Sequence, residues 1–317
     1  MAAVDCARGA SEPMDDLAAC LPPELHDAAI ERISVGLSGA GVYRVDAGAR
    51  GSFVLKISEQ PLKREIIELA SNAGIAPRVI HVDADRNAFV SELVIDRGFM
   101  ARVMTPATRA LAIDELARTL RRVHDLPIPE GAVTRAPREL LAMVWQGFLA
   151  ARFAVPGFAA DAIMRMLDEP VPASDRAIAL CHNDINPTNV VYDGERVVLI
   201  DWDTAGPNDP LIDLAAASVF LRLDDAGSRA LLAAHDGAPV IGELPARFAY
   251  CRRLVATAVG TIFLHLARAV GHAGSSDGEP LTMTECFEAM RAGRLDLTAA
   301  GGRWTFGLAL IAHGRAL

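Results

Sequence analysis

At 317 residues the chain is longer than one hydrophobic core usually serves, so two lobes are expected, and a hydrophobic content of 51% is enough to build both. The formal net charge of −9 argues against a nucleic-acid surface and is compatible with a cationic small molecule, although acidic solubility alone gives the same sign. The five cysteines, Cys6, Cys20, Cys181, Cys251 and Cys286, are scattered, odd in number and without metal-ligand spacing, which points to reduced thiols in a cytosol.

The opening residues MAAVDCARGASEPMDD lack a basic region followed by an apolar core, so they read as a loose extension and not as a signal peptide. Residues 15–22 read as a short helix stopped by Pro22-Pro23. Residues 31–48 have strand-like content on both sides of Ser38-Gly39-Ala40-Gly41, which taken alone is a tight turn. SFVLKIS (52–58) is an apolar strand with one cation, Lys56, which by itself would be a lysine on an edge strand. PLKREIIELASNAG (61–74) is a helix between Pro61 and Gly74, with Ile66, Leu69, Ala70 and Ala73 on one face. Glu65 borders that face through Leu69, four residues on, whereas Glu68 is followed by Ser71 and Asn72 at the neighbouring helical spacings. Residues 75–94 read as two strands joined by a polar turn at 83–87.

Helical periodicity dominates the rest. Residues 114–124 place Leu116, Leu120 and Val123 on one side, and His124 is a polar tip at the helix end, a structural residue. Residues 138–168 carry Trp145, Phe148, Phe153 and Phe158 at helical spacing, which is core material. Helices are also expected over 211–223, 227–234, 247–272, 281–292 and 304–313, with Gly-rich breaks at 271–278 and 301–302. The most apolar run, 254–270, is interrupted by Gly260, His265 and Arg268 and falls short of the roughly 20 apolar residues of a membrane span.

The chemistry concentrates in 180–214. AIAL (177–180) and VVLI (197–200) read as short buried strands, and VVY (190–192) as one arm of a hairpin with a two-residue Asp193-Gly194 turn. Cys181, at the end of the first of these strands, reads as packing. Asp184 and Asn189 then fall on the loop leaving one strand, and Asp201 just past the end of another. A carboxylate, an amide oxygen and a second carboxylate around one small volume are what is needed to orient a hydroxyl nucleophile and hold Mg²⁺ on a triphosphate.

The run His182-Asn183-Asp184, then Asn189, then Ile200-Asp201-Trp202-Asp203 resembles the catalytic and metal-binding segments of the aminoglycoside phosphotransferase and choline kinase superfamily, relatives of the protein kinases. The resemblance implies an α+β, protein-kinase-like two-lobed fold, with a small lobe of antiparallel sheet plus one helix and a larger, mainly helical lobe. It implies an extension and small nucleotide-binding lobe at 1–94, a hinge at 95–107, and a catalytic and acceptor-binding lobe at 108–317. Asp184 is the implied catalytic base, Asn189 and Asp201 the magnesium ligands, His182 a loop brace, and Asp213 the structural aspartate beneath the loop. The backbone around Gly39 and Gly41 resembles a phosphate-covering loop, although its glycine pattern departs from that of protein kinases. Lys56 stands where such folds carry the lysine for the α- and β-phosphates, with Glu65, or alternatively Glu68, as its ion-pair partner. Glu92 and Val94 belong to the segment whose backbone would meet adenine.

The implied activity is transfer of the γ-phosphate of ATP, with Mg²⁺, to a hydroxyl of a small cationic molecule. HNDINPTN with IDWDTAGPNDP looks more like choline, ethanolamine and thiamine kinases than like aminoglycoside enzymes, which tend to have glycine where Asn183 stands. A choline- or ethanolamine-like amino alcohol is therefore the expected acceptor, with an aminoglycoside or thiamine as alternatives. A quaternary ammonium is held by aromatic faces, for which Trp202, Tyr250, Phe263, Trp304 and Phe306 are candidates. A polyamine sugar needs several carboxylates, for which Asp203, Asp209, Glu285 and Glu288 are candidates. Alternatives of another class are a nucleotide-binding pseudokinase, against which the intact set Lys56, Asp184, Asn189 and Asp201 speaks, and an AMP transferase. The expected partner is a small-molecule acceptor, with no nucleic acid and no membrane, in the cytoplasm.

Overall fold

The computed structural model describes residues 14–33, 41–59 and 61–317. The chain divides into two compact units, Met1–Ile95 and Asp96–Leu317. Gly39, with Ser38 and Ala40, lies outside the described residues, while Gly41 opens a strand.

The first unit begins with α1 (Met14–Ala18) and is built on one antiparallel sheet. Its strands are β1 (Ala29–Arg32), β2 (Gly41–Asp46), β3 (Ser52–Ile57), β4 (Val79–Asp83) and β5 (Ala88–Glu92), in the order β1-β2-β3-β5-β4. Alternation along the strands decides the faces. Tyr43, Val45, Leu55, Ala88 and Val90 share a cluster with Leu17, Cys20, Leu21 and Leu25. Lys56, next to Leu55, therefore lies on the opposite face, opposite Val42 and Phe89 in register, and is only 7% exposed. Helix α2 (Arg64–Asn72) packs beside β4 and ends where Gly74 takes a left-handed φ of 67°. Its buried residues are Ile66, Ile67 and Ala70, so the apolar stripe is turned slightly from the expected one, and Leu69 is only half-buried.

The second unit is helical around two small strand pairs. Residues 95–107, expected as a hinge, carry α3 (Phe99–Met104) and the start of α4 (Pro106–His124). Pro106 suits the first turn of a helix because its missing N–H would have no partner there. Asp96 anchors this segment, its Oδ1 accepting the N–H groups of Gly98, Phe99 and Tyr192. The other helices are α5 (Pro137–Ala150), α6 (Gly157–Asp168), α7 (Leu211–Phe220), α8 (Asp225–Asp236), α9 (Ala246–Ala269), α10 (Met283–Arg291) and α11 (Ala300–Ala316). Strand β6 (Ala179–Cys181) pairs antiparallel with β9 (Gly206–Asn208), and β7 (Val190–Tyr192) with β8 (Val197–Leu199). The β7–β8 connection is a four-residue turn in place of the expected two-residue one. Asp193 closes it by accepting the N–H groups of Glu195 and Arg196, and Gly194 supplies a φ of 111°.

Helix α7 is buried along its whole length and packs on α9, which also packs on α5, α6 and α11. The α9–α11 contact is close because both helices present glycine. A Cβ on Gly260 would stand 2.7 Å from the Gly307 carbonyl oxygen and 2.7 Å from Ile311 Cγ1. A carbonyl cannot swing aside as a side chain can, so overpacking here must move a helix. Gly260→Val is expected to destabilise the second unit by about 1–3 kcal/mol. All three tryptophans, Trp145, Trp202 and Trp304, lie in that unit, so urea unfolding followed by their fluorescence measures the loss directly. An unchanged midpoint would mean that the helices separate at little cost.

Candidate active site

The site is set by what happens to the chain as it leaves β6. His182 is fully buried, its Nε2 3.0 Å from the Ile200 carbonyl oxygen and its ring edge-on to Trp202 at 4.8 Å. Its bond to a carbonyl makes Nε2 the protonated nitrogen, and Nδ1 has no partner among the described residues. The backbone N–H groups of His182 and Asn183 both donate to the Asp213 carboxylate, each at 2.8 Å. Asp213, in the first turn of α7, is fully buried and also receives His124 Nε2 at 3.2 Å. Burial alone would raise its pKa, but the hydrogen bond and charge of His124, with smaller help from His182, outweigh this and hold it below the usual carboxylate range.

Asn183 and Asp201 each adopt φ of 64°, a left-handed conformation that costs most side chains about 1–2 kcal/mol and that Asn and Asp tolerate best. At Asn183 the side chain adds a clamp. Its Nδ2 donates to the carbonyls of Thr204 and Gly206, each at 3.2 Å, and its Oδ1 accepts from Asn208 Nδ2 at 2.8 Å. Thr204 Oγ1 donates back to the His182 carbonyl at 3.0 Å. The loop before Asp184 and the segment after Asp201 are thus tied to each other. Glycine would satisfy the same φ without the clamp, so a glycine at this position and an asparagine are alternative answers to one backbone demand.

Asp184 is held by two amides. Asn186 Nδ2 donates to its Oδ1 at 3.0 Å, and Asn189 Nδ2 to its Oδ2 at 2.8 Å and to its carbonyl oxygen at 3.0 Å. Its pKa is raised. Burial is the main cause, His182 and the hydrogen bonds from Asn186 and Asn189 oppose it, and the charge of Asp201 adds to it. The mutual influence of Asp184 and Asp201 puts two carboxylates in one small volume, where a cation relieves their repulsion. With its NH₂ turned to Asp184, the buried Asn189 has its amide oxygen left as an acceptor. Two carboxylates and an amide oxygen form an all-oxygen donor set of the kind that suits Mg²⁺.

The structure brings His182, Asp184, Asn189, Asp201 and Asp213 together as described, and it corrects other expectations. Glu65 is exposed and makes no ion pair among the described residues, while Glu68 pairs with Arg64 at 2.8 Å, so the pair expected between Lys56 and Glu65 is not formed. Glu92 accepts the N–H of Arg78 at 3.0 Å, and the ladder of β5 ends with Leu93 donating to Ser52, which places Val94 just beyond it. The rings proposed for an acceptor pocket are core. Trp202 is 4% exposed and donates from Nε1 to the Leu199 carbonyl. Tyr250 is 1% exposed with its hydroxyl accepting from Arg138, and Trp304 stacks on His272 at 4.2 Å. A cation needs an open ring face, and these faces are covered. Among the carboxylate candidates, Asp209 is buried against Arg247 at 2.9 Å and Glu285 closes the capping box of α10 with Thr282. Asp203, two residues past Asp201, is half-buried, and Glu288 is exposed.

Sequence reasoning missed Asn186, Thr204 and the partnership of His124 with Asp213. Asn186-Pro187-Thr188 does carry a signal, since an asparagine whose side chain accepts the N–H two residues on is a local turn former. The other two are contacts across the fold and have no local signal.

Residues 29–257 match the family model described as the phosphotransferase enzyme family. The chain belongs to this family. Among solved structures, a choline/ethanolamine kinase family protein from Mesorhizobium loti superposes with a TM-score of 0.61 at 19% identity, covering 95% of this chain and 100% of that one. A spectinomycin phosphotransferase solved with ADP and spectinomycin gives 0.57 at 14% identity, covering 89% and 93%. These likenesses show the kinase-like α+β fold of the family. Among curated proteins, LicA of Haemophilus influenzae is 49% identical over 35 residues, which is 11% of this chain and 13% of that protein. No helix among the described residues is long and apolar enough to cross a membrane.

The Asp213 carboxylate gives this site its first test. Asp213→Ala would leave two backbone N–H groups and His124 without an acceptor in a dry interior, and a loss of about 3–5 kcal/mol is expected in urea unfolding. A loss under 1 kcal/mol would show that the loop holds its shape without the brace.

Proposed function

We propose that the protein transfers the γ-phosphate of ATP to the hydroxyl of a small, singly cationic amino alcohol of the choline or ethanolamine type. The observation that carries this reading is the Asp184 carboxylate, raised in pKa, fixed by Asn186 and Asn189, and set beside Asp201 on a loop braced by Asp213. A base must be positioned before it can be basic, and here both carboxylate oxygens are oriented while the environment favours proton uptake.

In this reading Asp184 aligns the acceptor hydroxyl and takes its proton as the oxygen attacks the γ-phosphorus, the bond from that phosphorus to the β,γ-bridging oxygen breaking so that ADP leaves. Asn189 and Asp201 would hold Mg²⁺, which when bound neutralises charge on the phosphates. Lys56 would hold the α- and β-phosphates, and the backbone around Gly39 and Gly41 would cover them. Asn183 and Thr204 keep the base and the metal aspartate in register.

The amino alcohol is favoured over a polyamine sugar on chemical grounds. A polyamine calls for several convergent carboxylates, yet Asp209 and Glu285 are engaged by Arg247 and by a helix cap. With Trp202, Tyr250 and Trp304 in the core, the single positive charge would be met chiefly by carboxylate, Asp203 being the proposed contact. The likeness to a choline/ethanolamine kinase family protein agrees with this. The net charge, the absence of a spanning helix among the described residues and the four described cysteines, all free, agree with a cytoplasmic enzyme.

The test is ATP with Mg²⁺ and a panel of choline, ethanolamine, thiamine and aminoglycosides, with product mass as the readout. A phosphate gain on choline or ethanolamine is expected. A gain on an aminoglycoside alone would overturn the acceptor assignment, and a nucleotidyl gain would overturn the reaction type. Asp184→Asn is expected to fold, keep ATP affinity and lose on the order of 10²–10⁴ in kcat. Because a base works only when ionised, kcat/KM should fall as the pH drops through the raised pKa of Asp184, so the acid limb should lie above the ordinary carboxylate range of about 4. A limb at or below that range would remove Asp184 from the role.

A further inference from the structure

Beneath the catalytic loop a line of polar side chains runs from Asp213 to the ion pair of Arg176 with Asp236. His124 Nε2 lies 3.2 Å from Asp213 Oδ2, and His124 Nδ1 lies 2.8 Å from His235 Nε2. His235 Nδ1 in turn lies 2.6 Å from Asp236 Oδ1. Arg176 grips both oxygens of Asp236, at 2.8 and 2.6 Å, and its Nη1 is 3.5 Å from His235 Nδ1. The line crosses three helices, with His124 at the end of α4, Asp213 at the start of α7, and His235 and Asp236 at the end of α8.

The line needs more protons than two neutral imidazoles carry. Both ends are carboxylates. Asp213 is held low as described above, and at Asp236 burial is outweighed by His235 and Arg176, which hold it well below the usual range. A carboxylate only accepts, so each outer contact needs an N–H from a ring, and the inner contact between two ring nitrogens needs one more. Two neutral imidazoles carry two N–H groups between them, and the three contacts need three. The line is complete only when the two rings share one additional proton. A second additional proton is resisted, because burial, and the charge of His124, lower the pKa of His235 against the pull of Asp236. The remaining titratable groups at this line are Cys181, whose thiol burial keeps protonated, and His182, which meets Asp213 through its backbone N–H.

We propose that His235 is a positioning residue which, by sharing one proton with His124, holds Asp213 and through it the catalytic loop over a bounded pH range. The proposal rests on the reading of Asp184 as the base for what the loop does, while the brace itself is independent of that reading. At alkaline pH loss of the shared proton leaves one of the three contacts without its N–H: the inner nitrogens stand lone pair to lone pair, His124 is freed from Asp213, or His235 Nδ1 turns from Asp236 to the Arg176 N–H at 3.5 Å, and only the first two loosen the brace. At acid pH a second proton sets N–H against N–H. Between these limits the His182 and Asn183 amides are held most firmly on Asp213.

Hydrogen exchange of the peptide spanning 180–186 in the full-length protein reads those two amides without requiring turnover. After correction for intrinsic exchange, wild-type protection should pass through a maximum with pH and fall at least tenfold on the alkaline side. His235→Gln, which has amide donors but no titration in this range, should keep the protection and flatten its pH dependence. His235→Leu should exchange at least tenfold faster at the wild-type maximum. Protection that does not vary with pH in the wild type, or a pH dependence in His235→Gln equal to that of the wild type, would overturn the proposal. These two comparisons stand even if His235→Leu does not fold. Phosphate transfer from ATP to choline is followed on the same samples. The exchange pattern without any transfer would support the brace and count against the catalytic reading, so the two failures are separable.

Discussion

The carboxylate of Asp213 is the interaction on which the site depends. An ionised group taken out of water is costly unless donors surround it, and Asp213 has three: two consecutive backbone N–H groups and a histidine. The requirement works in both directions. The aspartate needs the loop to offset its burial, and the loop needs the aspartate because two amides pointing into a dry core have no other acceptor. A helix buried on every face, α7, carries the aspartate, so the brace inherits the rigidity of the core and passes it to Asp184 two and one residues downstream of the held amides.

Around that brace the chain is forced into two left-handed turns, at Asn183 and Asp201. One lies directly before Asp184 and the other at Asp201, and each is occupied by a residue type that bears the conformation at low cost. The Asn183 amide then serves a second purpose by bonding the carbonyls of Thr204 and Gly206. Placement of Asp184 and Asp201 thus comes from backbone geometry plus short local bonds, without long flexible side chains. The same economy of donors holds for the His124–His235 pair, in which every ring nitrogen has a partner and the count of N–H groups must match.

The aromatic and acidic side chains first considered for an acceptor are organised differently. The aromatic rings of the second unit pack on one another, the half-buried Phe153 against the buried Trp304, and the half-buried Phe263 and Phe287 against the buried Phe306. Carboxylates there are partly engaged as structural partners. Under the proposed function a cationic acceptor would be met more by charge than by an aromatic cage.

The sequence by itself determined the reaction class and the elements that carry it. The β-branched runs at 190–192 and 197–200, the Asp193-Gly194 turn signal and the order of Asp184, Asn189 and Asp201 are local features, and local features are readable because strand period, turn chemistry and short spacing act over a few residues. The apolar run at 52–58 likewise read as a strand carrying Lys56, and the structure then placed Lys56 on the face opposite Leu55. Tertiary structure alone decided which residues meet across the fold. It took Trp202, Tyr250 and Trp304 into the core, left Glu65 in solvent, folded the expected hinge into α3 and α4, and joined His124 to Asp213 and His235. The physical reason is that burial and long-range hydrogen bonding depend on how helices pack, and a periodicity that says a face is apolar does not say what will cover it.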